Sequence, residues 1–211
     1  MSDYKPENYW RERGESYKDE FKSKNRNPVQ KAKYETQGRL LIELLGRLSF
    51  KSVLEIGCGF GRITKLMVDA FPAIESFDAL DLSPDQLKNA KEYVNSAKVT
   101  YHCTTFQAFT AQENTYDLVV ASEVLLHVQP IEIKTFMARM IALSRANVVH
   151  IDWSPRTPPT RPAAHNFPHN YPQIYRELGS KIRGLEVIRV RGRVLAILPT
   201  DFDQDIYHAS L

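Results

Sequence analysis

The chain has 211 residues, of which 43% are hydrophobic and 25% are charged. This length favours a single domain, because chains usually divide into several domains beyond roughly 250–300 residues. The composition excludes bulk disorder, and the two cysteines, Cys58 and Cys103, are too few for a disulfide framework or a cysteine-rich zinc site. The formal net charge of +3 does not by itself indicate a nucleic-acid partner.

No apolar run of the chain approaches the roughly 18 residues that indicate a membrane span. The first ten residues, MSDYKPENYW, are polar and lack the apolar core of a signal peptide. We therefore expect a cytoplasmic protein without a membrane-spanning segment.

Residues 1–35 are rich in aromatic and charged side chains. Between Lys22 and Lys33 this segment has five basic residues and no acidic one. A solvated helix face is the simpler interpretation of such a run, and contact with an anionic ligand or a nucleic acid is the alternative.

Helical and strand-like patterns alternate from residue 34 onwards. Leucines recur at helical spacing over residues 34–48, and the short apolar run at 52–56 predicts a buried strand that ends at Gly57. The helix that follows ends before Pro72, and residues 77–82 predict a second strand.

The same alternation continues through the middle of the chain. Ser83 is placed to cap a helix, and further strands are predicted at 99–103, 116–121 and 147–151, with a helix opening at Pro130 between the last two. Strand–helix alternation of this kind gives a parallel sheet covered on both faces. Ligands of such sheets bind beyond the carboxyl ends of the strands.

The last third of the chain has a different pattern. Residues 152–172 contain six of the twelve prolines and predict a long irregular segment, which in compact domains is usually functional or disordered. A short helix is predicted at 172–178. The runs 185–191 and 193–199 flank Gly192 and predict a hairpin, so that the sheet would end in antiparallel strands.

A glycine-rich turn in residues 53–61, VLEIGCGFG, carries the clearest chemical signal. Gly57, Gly59 and Gly61 lie where a strand turns into a helix, so the backbone can approach a ligand closely and the helix start favours an anionic group. Asp81 lies 24 residues after Gly57, where an acid can accept hydrogen bonds from ribose hydroxyls. The spacing G-x-G-x-G differs from the dinucleotide pattern G-x-G-x-x-G, which argues against an NAD enzyme.

Three motifs together resemble the class I S-adenosylmethionine-dependent methyltransferases. VLEIGCGFG is similar to the first motif of that family, DALDLSPDQLKNA (78–90) to its ribose-binding strand end and helix, and TYDLVVASEVLLHV (115–128) to its fourth strand and the following turn. The resemblance covers about residues 50–151 and the closing hairpin. It implies an α/β, Rossmann-like three-layer sandwich with a mostly parallel seven-stranded sheet and an antiparallel C-terminal hairpin.

The resemblance also implies a domain organisation. Residues 1–211 would form a single methyltransferase domain. Within it, residues 1–35 would be an N-terminal lid, and residues 152–172 a proline-rich insertion on the substrate side.

The resemblance implies S-adenosylmethionine as the cofactor. The residues that it places at this cofactor are Trp10, Arg13, Glu55, Gly57, Cys58, Gly59, Gly61, Asp81, Leu82, Thr105, Phe106, Ser122 and Glu123. Among them, Glu55 and the glycines would surround the methionine part, and Asp81 would hold the ribose with Leu82 against the adenine.

Three further pairs of contacts follow from the same resemblance. Thr105 and Phe106 would lie by the adenine, although many relatives have an acid at the position of Thr105. Ser122 and Glu123 would approach the sulfonium and its methyl group. Arg13, in the lid with Trp10, is a candidate partner for the cofactor carboxylate.

Candidate catalytic residues are His127, directly after the fourth strand, and His169 and Tyr171 in the proline-rich segment. Each could act as a base toward the acceptor, and each could instead have a structural role. A metal site is not expected, because residues 166–168 prevent a continuous helix between His165 and His169 and no carboxylate is paired with them.

Three functions remain open at this stage. The first is methyl transfer to oxygen or nitrogen of a small molecule or glycan, in which alignment of the reacting atoms supplies most of the acceleration and a base is needed for a hydroxyl or a protonated amine. The second is an RNA or protein methyltransferase, motivated by the basic residues 22–33, although ASEV at 121–124 differs from the Asn/Asp-Pro-Pro-aromatic signature of many nucleic-acid enzymes. The third is a cofactor-binding protein without turnover.

Overall fold

The computed structural model describes residues 5–156, 162–194 and 198–211. Its helices are α1 (Pro6–Lys24), α2 (Pro28–Leu45), α3 (Arg62–Ala70), α4 (Pro84–Val94), α5 (Ile133–Leu143) and α6 (Tyr171–Leu178), with short 3-10 helices at Leu125–His127 and Gly179–Lys181. Its strands are β1 (Ser52–Ile56), β2 (Ser76–Asp81), β3 (Val99–Cys103), β4 (Tyr116–Ser122), β5 (Ser144–Trp153), β6 (Gly184–Val194) and β7 (Leu198–Ser210).

The seven strands form one sheet in the order β3-β2-β1-β4-β5-β7-β6. Strands β1 to β5 run parallel to one another, and β7 is antiparallel to both β5 and β6. The predicted Rossmann-like α/β architecture with a closing antiparallel hairpin is therefore confirmed. The strand order reverses at β1 and β4, and the crevice beyond their carboxyl ends is where such sheets bind ligands.

Apolar helix faces cover both sides of the sheet. On one side the core contains Leu41, Leu44, Ile63, Met67 and Leu87 from α2, α3 and α4. On the other side it contains Phe136, Met137, Met140, Tyr171 and Tyr175 from α5 and α6. Two buried layers of this kind make the sheet a rigid platform, so that the loops at its edge carry the site.

Several predicted boundaries are wrong by a few residues. Helix α2 begins at Pro28 rather than near residue 34, because the Asn27 side chain accepts a hydrogen bond from the Val29 N–H and caps the helix. Helix α5 begins at Ile133, not at Pro130, and β5 begins at Ser144, three residues before the predicted start.

The predicted hairpin is wrong in its position. Gly192 does not form the turn but lies within β6, where it pairs with Thr200 of β7. Strand β7 continues to Ser210, through the acid-rich stretch DFDQD. The sequence pattern of this stretch does not predict a strand. Polar side chains of this stretch can be buried in the strand because they have partners there: Asp205 is completely buried and accepts hydrogen bonds from Arg156 (2.7 Å) and Tyr207 (3.1 Å).

Helix α1 packs across the start of α4, above the carboxyl edge of the sheet. The Gln86 side chain donates to the Gly14 carbonyl, and Lys18 Nζ lies 3.3 Å from Asn89 Oδ1. A Cβ added at Gly14 would overlap Ser83 Oγ, so glycine permits this close approach. None of the helices described here is long and apolar enough to cross a membrane.

Candidate active site

A cavity of about 790 Å³ lies between α1 and the carboxyl ends of β1, β2 and β4. Its volume is in the range of small-molecule sites. Twelve of the thirteen predicted cofactor residues line it: Trp10, Arg13, Glu55, Gly57, Cys58, Gly59, Asp81, Leu82, Thr105, Phe106, Ser122 and Glu123. The structure thus brings together side chains from four strand ends and from the N-terminal helix.

The glycine turn follows β1, and its three glycines have positive φ angles of 68°, 55° and 88°. A Cβ at Gly57 would lie 2.5 Å from Val124 Cγ2, whereas at Gly59 the nearest atom would be 3.8 Å away. Gly59 therefore leaves room in the cavity for a ligand to approach the backbone. Gly61 has a different environment, because its Cβ would point at α4, 2.6 Å from Val94 Cγ2, and it does not line the cavity.

Asp81 connects the glycine turn to the end of β2. Its carboxylate accepts hydrogen bonds from the Gly59 N–H (2.8 Å) and the Ser83 N–H (2.9 Å). Burial raises the pKa of this carboxyl above its ordinary value, and the backbone donors partly offset that effect. Because each carboxylate oxygen has two lone pairs, both oxygens can still accept from a pair of vicinal hydroxyls. The residues present therefore fit the ribose of S-adenosylmethionine.

The wall beyond Asp81 consists of Leu82, Thr105 and Phe106. The Phe106 ring packs on Phe136, with the ring centroids 4.7 Å apart. The Thr105 hydroxyl accepts a hydrogen bond from the Ala108 N–H (2.9 Å), which leaves its proton to donate. An apolar wall with one hydroxyl fits a purine ring.

Two carboxylates on neighbouring strand ends have opposite pKa shifts. Glu55, at 2% exposure, accepts a hydrogen bond from Thr64 Oγ1 (2.5 Å), and burial raises its pKa to about 8. Burial would also raise the pKa of Glu123, but Lys33, Arg62 and Gln204 together lower it to about 2. Lys33 Nζ and Gln204 Nε2 lie 2.9 and 2.5 Å from Glu123 Oε1. Glu123 is therefore ionised at pH 7, whereas Glu55 is mostly protonated.

Two arginines line the same cavity, and the sequence pointed to only one of them. Arg13 donates to Glu20 Oε2 (2.6 Å) and to the Tyr9 hydroxyl, so its charge is already balanced. Arg62, directly after the glycine turn, was missed; it donates to the Gln37 side chain. The signal for Arg62 was its place at the start of α3, where a cation is unusual because the helix dipole favours an anion.

A cluster of four rings, which we call the roof cluster, lies at the end of the cavity next to α1: Tyr9, Trp10, His127 and His165. The Trp10 ring contacts His127 edge-on at 4.7 Å between centroids, and Tyr9 lies 4.4 Å from His165. Trp10, His127 and His165 line the cavity, whereas Tyr9 supports His165 from behind.

The turn that carries His127 is fixed from two sides. Below it, Asp152 Oδ1 accepts from the Leu126 N–H (3.1 Å). Outside it, the Phe167 N–H donates to the Leu126 carbonyl (2.7 Å), and His127 Nδ1 donates to the His165 carbonyl (3.1 Å). Burial lowers the pKa of His127 to about 4, so its imidazole is neutral at pH 7.

The other two catalytic candidates, His169 and Tyr171, lie away from the cavity, which corrects their predicted placement. His169 is buried, and its Nε2 donates to the Val128 carbonyl (2.9 Å). Tyr171 is fully buried at the start of α6, against His150 at 4.7 Å between ring centroids. Because both side chains are buried outside the cavity, neither is placed to take a proton from an acceptor. Burial also raises the pKa of the Tyr171 hydroxyl well above its ordinary value. Within the described ranges, no three His, Cys, Asp or Glu side chains are placed to hold a metal ion.

The comparisons with known proteins agree with the fold. Residues 53–156 match the family model described as the methyltransferase domain. The fold and the site define a class, and the chain belongs to the class I S-adenosylmethionine-dependent methyltransferases with the Rossmann-like fold. S-adenosylmethionine, the cofactor that the sequence predicted, is the cofactor of this family.

Within this class the chain is similar to proteins with different acceptors. It is 36% identical over 72 residues to the malonyl-[acyl-carrier protein] O-methyltransferase of Anoxybacillus flavithermus, covering 34% of this chain and 27% of the relative. It is 29% identical over 112 residues to the human N-terminal Xaa-Pro-Lys N-methyltransferase 1, covering 52% of this chain and 49% of the relative. The chain thus spans between about a quarter and a half of the length of these curated relatives.

A solved structure matches the whole chain. The magnesium protoporphyrin IX methyltransferase from Synechocystis PCC 6803, determined with bound S-adenosylmethionine, superposes with a TM-score of 0.69 and 17% identity. The match covers 100% of this chain and 99% of that one. At this identity the likeness shows the fold.

Proposed function

We propose that the protein is an S-adenosylmethionine-dependent methyltransferase that acts on oxygen or nitrogen of a small molecule or glycan. The observation that carries this proposal is the continuous cavity that joins the Asp81 carboxylate, held by the Gly59 N–H at 2.8 Å, to the roof cluster. One end is suited to a nucleoside, and the other is large enough for an acceptor.

When bound, S-adenosylmethionine supplies an electrophilic methyl group on a positively charged sulfur. Asp81 would accept hydrogen bonds from the ribose, and Arg62 would provide the cation for the carboxylate end, because Arg13 is engaged by Glu20. Ser122 and the ionised Glu123 lie at the end of β4, where they would contact the sulfonium end of the cofactor and hold it in place. Helix α1 acts as a lid that excludes water from the reacting atoms.

His127 is the group that receives the acceptor. It lines the cavity next to the strand end that holds Glu123, and its imidazole is neutral at pH 7. A neutral imidazole can take a proton from a hydroxyl or a protonated amine during transfer. His169 has no such role in this proposal, because its ring donates to the Val128 carbonyl.

Protein substrates are the second candidate, favoured by the similarity to the N-terminal Xaa-Pro-Lys N-methyltransferase over 52% of this chain. The basic run at residues 22–33 gives less support to RNA as a substrate than this similarity gives to a protein. Lys22 pairs with Asp19, Lys31 with Glu35 and Lys33 with Glu123, so three of its cations face an acid. Such pairing weakens the field that nucleic-acid binding depends on.

The test has two stages. Isothermal titration calorimetry with S-adenosylmethionine and with S-adenosylhomocysteine should show one site per chain. Isotopically labelled methyl donor is then offered with hydroxyl, amine, carboxylate, sugar and peptide acceptors, and S-adenosylhomocysteine formation is measured. Absence of binding at millimolar concentrations would refute the proposal. Binding without turnover on any acceptor would instead favour a cofactor-binding protein without catalysis.

A further inference from the structure

We propose that two buried glutamines, Gln37 and Gln204, are positioning residues that hold Arg62 as an unpaired cation for the carboxylate of the cofactor. They join the Arg62 guanidinium to the Glu123 carboxylate through neutral amides, so that the two charges do not meet directly. This inference rests on the proposed function and deepens it, because it concerns how the cofactor end of the same cavity selects its ligand.

Four side chains form a continuous series of hydrogen bonds, which we call the glutamine relay: Arg62, Gln37, Gln204 and Glu123. Arg62 donates to Gln37 Oε1, and Gln37 Nε2 donates to Gln204 Oε1 (3.1 Å). Gln204 Nε2 then donates to Glu123 Oε1 (2.5 Å). Both amides are buried, at 0% and 1% exposure. Burying an amide is costly unless it is hydrogen-bonded, and in the relay each glutamine both accepts and donates.

The two ends of the relay determine how both amides are oriented. A guanidinium has only donors, so the group of Gln37 that faces Arg62 must be the amide oxygen. Glu123, with a pKa of about 2, is ionised at pH 7 and only accepts, so the amide nitrogen of Gln204 must face it. The nitrogen of Gln37 and the oxygen of Gln204 then meet as donor and acceptor. Because both ends impose the same direction, the relay has one arrangement.

The charge of Arg62 is left unbalanced by the acids around it. Glu123 is paired with Lys33, whose Nζ lies 2.9 Å from Oε1. Glu55 is mostly protonated at pH 7, because burial raises its pKa to about 8. In the part of the chain that the structure describes, Arg62 itself forms no ion pair. A ligand carboxylate is therefore the charge partner that this guanidinium lacks.

Aromatic rings hold the guanidinium as well. Its central carbon lies 4.9 Å from the centroid of the Tyr34 ring and 5.9 Å from that of Phe21. A guanidinium that stacks on rings keeps the N–H groups in its plane available for hydrogen bonds. Arg62, Tyr34 and Phe21 all line the cavity, so the N–H groups that the relay does not use are preorganised for one anionic group.

The amide at position 37 matters because an acid there would cancel the charge of Arg62. A glutamate has nearly the same size as Gln37 and would form a charge-assisted pair with the guanidinium. It would then compete with the carboxylate of the ligand. The relay thus predicts that Gln37→Glu changes the selection of the carboxylate and leaves the binding of the nucleoside intact.

Two ligands that differ only in the carboxylate test this inference: S-adenosylhomocysteine and its decarboxylated form, S-adenosyl-3-thiopropylamine. Calorimetry gives both affinities, and their ratio measures the contribution of the carboxylate. We expect the wild type to bind S-adenosylhomocysteine at least about tenfold more tightly, because hydrogen bonds between charged groups are among the strongest. Gln37→Glu should lower this ratio by about tenfold and change the affinity for the decarboxylated ligand by less than about threefold.

Three further variants separate positioning from a general loss of structure. Gln173→Glu is the matched control, because Gln173 lies exposed on α6 outside the cavity, and it should leave the ratio unchanged. Gln37→Met is neutral and of similar length, and it should lower the ratio by about threefold because Arg62 loses its partner. Added to Arg62→Met, the same substitution should not lower the ratio further, since Gln37 acts through Arg62.

The outcomes distinguish this inference from the proposed function. An unchanged ratio in Gln37→Glu, or in Gln37→Met if the glutamate variant does not fold, would overturn the inference and leave the methyltransferase intact. Equal losses of affinity for both ligands would show that Gln37 has only a structural role. Equal affinities of the wild type for both ligands would show that Arg62 does not receive the carboxylate. Failure to bind S-adenosylhomocysteine and S-adenosylmethionine would overturn both the inference and the proposed function.

Discussion

The two ends of the cavity are built in different ways. The cofactor end is made of backbone and short side chains at the ends of neighbouring parallel strands, such as Gly59 beside Asp81. The acceptor end is made of side chains from segments far apart in sequence, as in the contact between Tyr9 and His165. The first arrangement follows from the strand order alone, whereas the second exists only when α1 packs against residues 162–170. Four predictions test this contrast, from the largest expected effect to the smallest.

Asp81→Ala should weaken S-adenosylhomocysteine binding by about 100-fold. The variant loses hydrogen bonds to a charged acceptor, each contributing about 1.5–3 kcal/mol, and releases the glycine turn. Calorimetry measures the effect. Asp78→Asn is the control, because Asp78 lies on the same strand but bonds to His102 and Tyr116. Equal affinities for wild type and Asp81→Ala would show that the nucleoside end is misplaced.

Gly61→Ala should reduce stability rather than cofactor affinity. Its Cβ would meet Val94 Cγ2 at 2.6 Å with φ at 88°, so we expect a loss of about 2–3 kcal/mol in the free energy of unfolding. Urea denaturation measures this loss, and calorimetry should show an affinity within about threefold of wild type at a temperature where the variant is folded. Gly59→Ala is the matched variant: its φ of 55° adds backbone strain but no clash, so it should lose less stability than Gly61→Ala and weaken binding more. The reverse pattern would mean that Gly61 faces the ligand.

Glu55→Gln should change how stability depends on pH. The pKa of Glu55 is raised by burial from 4.5 to about 8, so the stability supplied by its protonated form is complete below pH 4.5 and is lost as the pH rises toward 8. The glutamine of the variant does not ionise, so its stability does not fall in this way. Relative to wild type, its free energy of unfolding should increase by on the order of 2 kcal/mol between pH 5 and pH 8.

Glu123→Gln is the comparison variant for that pH experiment, because the pKa of Glu123 is shifted in the opposite direction. The pKa of Glu123 is lowered to about 2, so its contribution to stability is present above pH 4.5 and is lost only as the pH falls toward 2. Its stability difference from wild type should therefore be constant between pH 5 and pH 8. If both variants follow the same pH trend, the two carboxyls do not differ in ionisation as the structure indicates.

Tyr9→Phe should have the smallest effect, confined to the acceptor end. The variant loses the hydroxyl that bonds to Arg13 and lies 3.3 Å from His165 Nε2, a contribution of about 0.5–1.5 kcal/mol. We expect the KM for the acceptor to rise a few-fold in steady-state kinetics while the cofactor affinity stays constant. A comparable loss of cofactor affinity would show that the two ends of the cavity are not separable.

Much of the cofactor end was predictable because its signals are local. Strand β1 and the glycine turn were placed correctly from a short apolar run and three glycines. Asp81 was predicted from its distance along the chain, since a parallel sheet returns each strand end to the same edge.

The acceptor end was not predictable in the same way. His169 and Tyr171 looked like candidate bases from their residue types and their irregular segment, but the fold turns both into buried positions, and the segment contributes His165 to the cavity instead. Arg62 was missed, although it directly follows the glycine turn, because the sequence does not show that Arg13 is already paired with Glu20.

The sequence alone determined the alternation of strands and helices, the turn after β1 and the type of ligand that this turn suits, because periodicity and glycine positions depend on neighbouring residues. Only the tertiary structure decided which histidine reaches the cavity, which carboxyl stays protonated and where β7 ends. These properties depend on burial and on partners from distant segments, such as Lys33 beside Glu123, and no local pattern encodes them.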